Sequence, residues 1–170
     1  MLTGIRIPVL GIIHFPPGKG DPKWQIAPGL FAGIDHTAIV VGDTDARLAF
    51  YRDKLGLRVV GHSDNYGTAQ EHLNNVPGAH LRITALRAAS GPGVEFLEYL
   101  TPRDGRGTPD DAKANDLFHW HIVMTAADPD SAAAKLGGRL VHLSESSLDI
   151  TAGFFVRDPD GHVVNIVGRN

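Results

Sequence analysis

Three side chains in this sequence have the types needed to hold a divalent cation: His36, His121 and Glu95. Two neutral imidazoles and one carboxylate make a facial triad for Fe(II), or a mixed nitrogen–oxygen site for Zn, Mn, Co or Ni. An ion held this way keeps open positions for a substrate with two neighbouring oxygens, where it can polarise a carbonyl or stabilise an enolate. Glu95 stands inside the apolar run Val94-Glu95-Phe96-Leu97. A carboxylate there is costly unless it is paired or metal-bound.

An internal repeat relates the two histidines. Ile34-Asp35-His36-Thr37-Ala38-Ile39-Val40-Val41-Gly42-Asp43-Thr44-Asp45 is echoed by His121-Ile122-Val123-Met124-Thr125-Ala126-Ala127-Asp128-Pro129-Asp130. His36 maps to His121, Asp43 to Asp128 and Asp45 to Asp130, each 85 positions on. A repeat of this kind is the signature of two copies of one supersecondary unit.

Each copy must then supply the elements that position its histidine. In the first, 34–41 reads as a β-branched strand, Asp43 caps a helix running to Leu55, and Gly56 stops it. Strands follow at 57–62, 80–87 and 94–100, with a polar, irregular stretch over 64–78. In the second, 118–125 is a strand, and Asp128 caps a helix with Pro129 at its first position and Gly137-Gly138 at its end. Strands follow at 139–143, 152–156 and 162–167, the last two joined as a hairpin by Asp158-Pro159-Asp160-Gly161. Both halves read strand, helix, three strands. The class is α+β: two βαβββ modules pairing into a curved sheet around a central cavity, in which the two histidines approach one another. Module one spans 34–100, a Gly/Pro-rich linker 101–116, and module two 117–168, within a single domain over 34–170. Residues 1–33 read as an extended arm lying on the domain or on a partner chain.

The composition sets the boundaries of function. The chain has 170 residues, is 42% hydrophobic and 21% charged, and carries a net charge of −3. These are ordinary globular values without the basic footprint of a nucleic-acid binder. Zero cysteines exclude thiolate metal sites and disulfides, and fit a reducing compartment. The apolar stretch before Pro16-Pro17 is broken by Pro8 and Gly11, too short to span a bilayer and without a cleavage site. A cytoplasmic protein without membrane or nucleic-acid partners is expected.

The paired βαβββ units, the two His-x6-Asp segments and Phe155-Val156-Arg157-Asp158-Pro159-Asp160-Gly161-His162 together resemble the vicinal oxygen chelate superfamily. That superfamily holds glyoxalase I, methylmalonyl-CoA epimerase, extradiol dioxygenases and bleomycin-resistance proteins. The resemblance covers about 34–168. It implies metal ligands on the first and fourth strands of each module: His36 and Glu95 from module one, His121 and Asn165 from module two. His119 and Glu98 are the rivals of His121 and Glu95. Where many members carry a glutamate after the Asp-Pro-Asp-Gly turn, this chain has Asn165, whose side chain offers a carbonyl oxygen but cannot act as a base. Glu95 is then the catalytic carboxylate.

The resemblance implies a divalent-metal-dependent enzyme of the glyoxalase-like type, a lyase or isomerase working through a metal-bound enediolate or enolate of a small oxygenated substrate, and a homodimer. The alternatives are an Fe(II) extradiol-type dioxygenase and a metal-free metabolite- or drug-binding protein of the bleomycin-resistance kind. His14, His62, His72, His80 and His142 read as surface or structural, and His162 as exposed after its turn. Arg82 and Arg87 read as ordinary strand charges, and Trp24 and Trp120 as packing residues.

Overall fold

A computed structural model describes residues 10–26, 29–117, 119–145 and 148–170. Among the described residues, eight strands form two four-stranded mixed sheets of identical order, β1-β4-β3-β2 and β5-β8-β7-β6, with three α-helices and a short 3-10 helix over Pro22–Trp24. Module one contains β1 (His36–Val41), α1 (Thr44–Tyr51), β2 (Arg58–Tyr66), α2 (Thr68–Asn74), β3 (His80–Arg87) and β4 (Gly93–Thr101). Module two contains β5 (His121–Thr125), α3 (Pro129–Leu136), β6 (Val141–His142), β7 (Ile150–Arg157) and β8 (Val163–Arg169). The chain is therefore α+β with two βαβββ modules, as its repeat predicts.

Local chemistry explains the shared start of each module. Asp43 accepts from the Ala46 amide at 3.0 Å, and Asp128 from the Ser131 amide at 2.9 Å, so each carboxylate satisfies a free helix N–H. Gly137 ends α3 at φ +70°, where a side chain would be strained. After each helix the chain crosses to the far edge of the sheet. The first strand instead pairs in parallel with the last, β1 with β4 and β5 with β8.

Several expected boundaries move. Strand β1 begins at His36 rather than Ile34, and α1 ends at Tyr51, with turns carrying the chain on to Gly56. The stretch over 64–78 is more ordered than its polarity suggests: β2 runs to Tyr66, and α2 follows. The strand expected over 139–143 shrinks to Val141–His142. Phe118, the expected start of β5, and the apolar run before Leu10 lie outside the described residues. No helix among the described residues is long and apolar enough to cross a membrane.

One core joins the modules. Ile39, Val41, Leu48, Tyr51, Leu86 and Phe96 of module one cluster with Ala133, Phe154, Val156, Val164 and Ile166 of module two. Side chains alternate across a strand, so burying Ile39 and Val41 turns His36, Ala38 and Val40 to the opposite face. A second, smaller cluster of Leu81 and Ile83 with Leu97 and Tyr99 lies on that opposite face of module one.

Candidate functional site

Strand register places the family positions. Ala38 pairs with Glu95 and Glu95 with Ala85, so Glu95 shares the outer face with His36. His36 Nε2 lies 3.5 Å from Glu95 Oε2, and both side chains are 24% exposed. Glu98 points the other way. It is buried, accepts from the Thr44 amide at 3.2 Å, and pairs with Arg82 and Arg103.

The far side of the His36 ring is also engaged. Its Nδ1–H donates to Asp35 Oδ2 at 2.8 Å. Asp35 additionally receives Arg87 Nη2 at 3.0 and 2.9 Å on its two oxygens, and the Trp24 indole at 3.0 Å. Burial works to raise the Asp35 pKa, but hydrogen bonds from His36, Arg87 and Trp24 outweigh it and hold the carboxyl below its usual range. A cavity of about 230 Å³ opens beside these groups, lined by Asp35, His36, Arg87 and Glu95 and, from the arm, Ile13 and Phe15.

Module two repeats the geometry with different chemistry. Val123 pairs with Asn165 in the register that pairs Ala38 with Glu95, making Asn165 the positional counterpart of Glu95. His121 is exposed, with Nδ1 3.5 Å from His119 Nε2 and its ring edge-on to Phe155. Val123 and Phe155 on the same sheet are 50% and 59% exposed.

The single chain does not gather His36, Glu95 and His121. Among the described residues, the one group of three potential ligands lying within 4.8 Å of one another is Asp158, Asp160 and His162. No such group joins His36 to His121. One face of each sheet is buried in the common core, and His36 and His121 lie on the opposite faces.

The Asp158–Asp160–His162 group is filled by the protein's own donors. Asp158 accepts from the Tyr51 hydroxyl at 3.1 Å, from the amides of Asp160 and His162 at 2.9 and 2.8 Å, and from His162 Nδ1 at 2.8 Å. Asp160 holds the Arg47 guanidinium and the Gly42 amide. Burial and the neighbouring Asp158 charge both push the Tyr51 phenol well above its ordinary range, so it stays a hydrogen-bond donor. Tyr51, Arg47 and Gly42 belong to module one, which makes this turn a clasp between modules. His162, expected to be exposed, is only 14% exposed because Asp158 holds it and Trp120 lies against it.

Asp35, which the sequence does not single out, joins the site, and so do Arg87 and Trp24, which read as an ordinary strand charge and a packing residue. The available signal was adjacency: an aspartate next to a candidate ligand, just ahead of the strand.

Comparison with known proteins places the fold. A glyoxalase family protein from Bacillus cereus superposes with a TM-score of 0.68 at 20% identity, covering 85% of this chain and 98% of that one. The trypanothione-dependent glyoxalase I of Leishmania major gives 0.53 at 20% identity, over 80% and 86%. TnmS3, an antibiotic-binding protein from Streptomyces sp. CB03234, gives 0.50 at 16% identity, over 84% and 99%. No curated protein matches the chain. The family model that matches covers residues 33–166, all of module one and all but the last residues of module two, and the chain thus belongs to the Glyoxalase/Bleomycin resistance protein/Dioxygenase superfamily.

Proposed function

We propose that this chain is a divalent-metal-dependent enzyme of the glyoxalase-like type, a lyase or isomerase acting on a small substrate with neighbouring oxygens. The observation that carries this reading is the His36–Glu95 pair. Two ligands about 2.1 Å from one ion at a tetrahedral angle stand about 3.4 Å apart, and His36 Nε2 and Glu95 Oε2 are separated by 3.5 Å. Both sit beside a cavity, and both are partly open to it. The donor set fits a Zn, Ni, Co, Mn or Fe ion, which when bound would polarise a substrate carbonyl.

His121 and Asn165 complete the set from a second copy of the chain. Support comes from the arrangement of faces: His36 and Glu95 lie on one outer face, and His121, Val123 and Phe155 lie open on another. A twofold homodimer presents each outer face to its counterpart. In such a site Glu95 accepts the substrate proton, because Asn165 cannot. Arg87 adds positive charge beside the cavity, and Phe155 and Val123 form an apolar wall. The cysteine-free composition suits a cytoplasmic setting.

Metal analysis tests this. Wild-type protein should carry about one divalent ion per chain, and His36→Ala, Glu95→Ala and His121→Ala should each lose it. A wild type that stays metal-free after incubation with Zn, Mn, Ni and Fe(II) overturns the proposal. Inertness toward methylglyoxal hemithioacetal together with catechol turnover under Fe(II) would move the assignment to an extradiol dioxygenase.

A second reading is a metal-free metabolite- or drug-binding protein. Asn165 in place of a carboxylate, beside the open apolar surface of Val123 and Phe155, favours it. An antibiotic-binding protein shares the fold. Saturable binding of an aromatic ligand unchanged in His36→Ala would support this reading over the enzyme.

A further inference from the structure

We propose that Asp35 is the positioning residue of the site, fixing the His36 ring as its Nδ1–H tautomer so that Nε2 keeps a lone pair directed toward Glu95. The inference rests on His36 serving as a ligand, but its geometry is independent of any metal. A neutral imidazole carries one N–H, and the partner of one nitrogen decides the state of the other. Asp35 Oδ2 lies 2.8 Å from Nδ1, and a carboxylate can only accept, so the proton belongs on Nδ1. Nε2 and Glu95 Oε2 then face one another as two acceptors 3.5 Å apart. Such a pair is repulsive until a proton or a metal ion lies between them.

Asp35 is itself held rigidly. The Arg87 guanidinium grips both its oxygens and also donates through Nη1 to the Asp35 carbonyl at 2.6 Å. Gly93 makes room for this. A Cβ there would stand 3.0 Å from the Arg87 guanidinium and 2.9 Å from the Leu86 carbonyl oxygen, while the Gly93 amide donates to the Asp35 carbonyl at 2.8 Å. Trp24 donates to Oδ1 from the arm, whose Phe15 and Ile13 wall the neighbouring cavity. Seating of the arm and orientation of His36 thus meet at one carboxylate.

The distribution of donors yields a specific test. Oδ1 receives Trp24 and Arg87, whereas Oδ2 receives His36 and Arg87. In Asp35→Asn the amide oxygen takes the Oδ1 place, because the Trp24 indole can only donate whereas the His36 ring can change tautomer, and its NH2 turns to His36 Nδ1. The ring must then switch to the Nε2–H tautomer, which blocks the ligating lone pair. Nitrogen-15 NMR of metal-free full-length protein at about pH 8.5, above the ordinary imidazole range, reads the tautomer directly. The His36 signal is assigned by its loss in His36→Gln.

The expected result is Nδ1–H in wild type and in Trp24→Phe, Nε2–H in Asp35→Asn, and a mixture in Asp35→Ala. Zn affinity by chelator competition should fall about 10- to 100-fold in Asp35→Asn. A mere loss of stability would shift melting without switching the tautomer. Wild-type His36 found as Nε2–H, or protonated on both nitrogens, or an unchanged tautomer in Asp35→Asn, overturns the proposal. A tautomer switch in a protein that never binds metal sustains the positioning role and removes the metal-enzyme reading instead.

Discussion

The two modules share strand order, helix caps and register, yet they differ in what each outer face carries. Module one presents His36 beside Glu95, with Asp35 and Arg87 behind the ring and the arm alongside. Module two presents His121 beside His119 and Phe155, with Asn165 where the carboxylate would be. Repetition has conserved the scaffold, while the charged chemistry has collected on one copy. In the proposed shared site, a half with a carboxylate beside its histidine meets a half with an amide at the matching position.

Mixing two inactive variants gives the all-or-none result. In the proposed homodimer with shared sites, His36→Ala and His121→Ala each lack a ligand in every site. If sites form between copies, co-refolding them gives heterodimers in which one of two sites holds both histidines. About one quarter of wild-type metal content should return at equal mixing. No recovery would mean that sites do not form between copies.

The clasp is the next largest. Arg47 and Asp160 join the modules through a mostly buried ion pair that also takes the Gly42 amide. Asp160→Asn should cost about 2 kcal/mol in urea unfolding, the scale of a lost hydrogen bond to a charged group. Burial tends to raise the Asp160 pKa, but Arg47 and the Gly42 amide outweigh it and depress the folded value. A depressed carboxylate contributes stability above its unfolded pKa and loses it as pH falls through the folded one. Wild type should therefore lose stability in acid below about pH 4, and Asp160→Asn should show a shallower loss. Equal slopes would remove Asp160 from the clasp.

Restoring the missing carboxylate sharpens the contrast directly. Asn165→Glu gives module two the residue that module one has at the matching register position. If Asn165 sits at the metal, affinity should rise about tenfold, roughly 1.4 kcal/mol. An unchanged affinity in a protein that does bind metal would place Asn165 outside the site.

The fold was largely legible because the repeat is written in residues with strong local meaning: Asp43 and Asp128 as caps, Gly137 as a stop, and alternation in β3 and β4. Helix α2 was not, because Gly67 at its start supplies no side-chain cap and Asn75 ends it in the left-handed region. The pairing of Arg87 with Asp35 spans 52 positions and is visible only once β3 and β1 flank β4. Strand alternation also misleads about Asp35. It would put adjacent residues on opposite faces, but β1 begins at His36, so Asp35 lies off the strand and can reach the ring. Which way the two outer faces point was hidden as well. Periodicity identifies an apolar face but does not say whether its partner is the other module or another chain.

The smallest effect concerns the helix caps, where the modules look most alike. Asp43→Ala and Asp128→Ala each remove one side-chain bond to a helix amide, at about 1 kcal/mol. The contexts differ, however. Helix α1 buries Leu48, Phe50 and Tyr51, whereas α3 buries Ala133 alone and already has Pro129 to fix its first turn. Fraying α1 would also disturb Tyr51, whose hydroxyl anchors Asp158 in the clasp. Asp43→Ala should thus be the more destabilising of the two in urea unfolding, and its cost should shrink when Tyr51→Phe has already removed the clasp bond. Equal costs that add independently of Tyr51→Phe would show that the two helices are interchangeable supports, and that the asymmetry of this protein is confined to its outer faces.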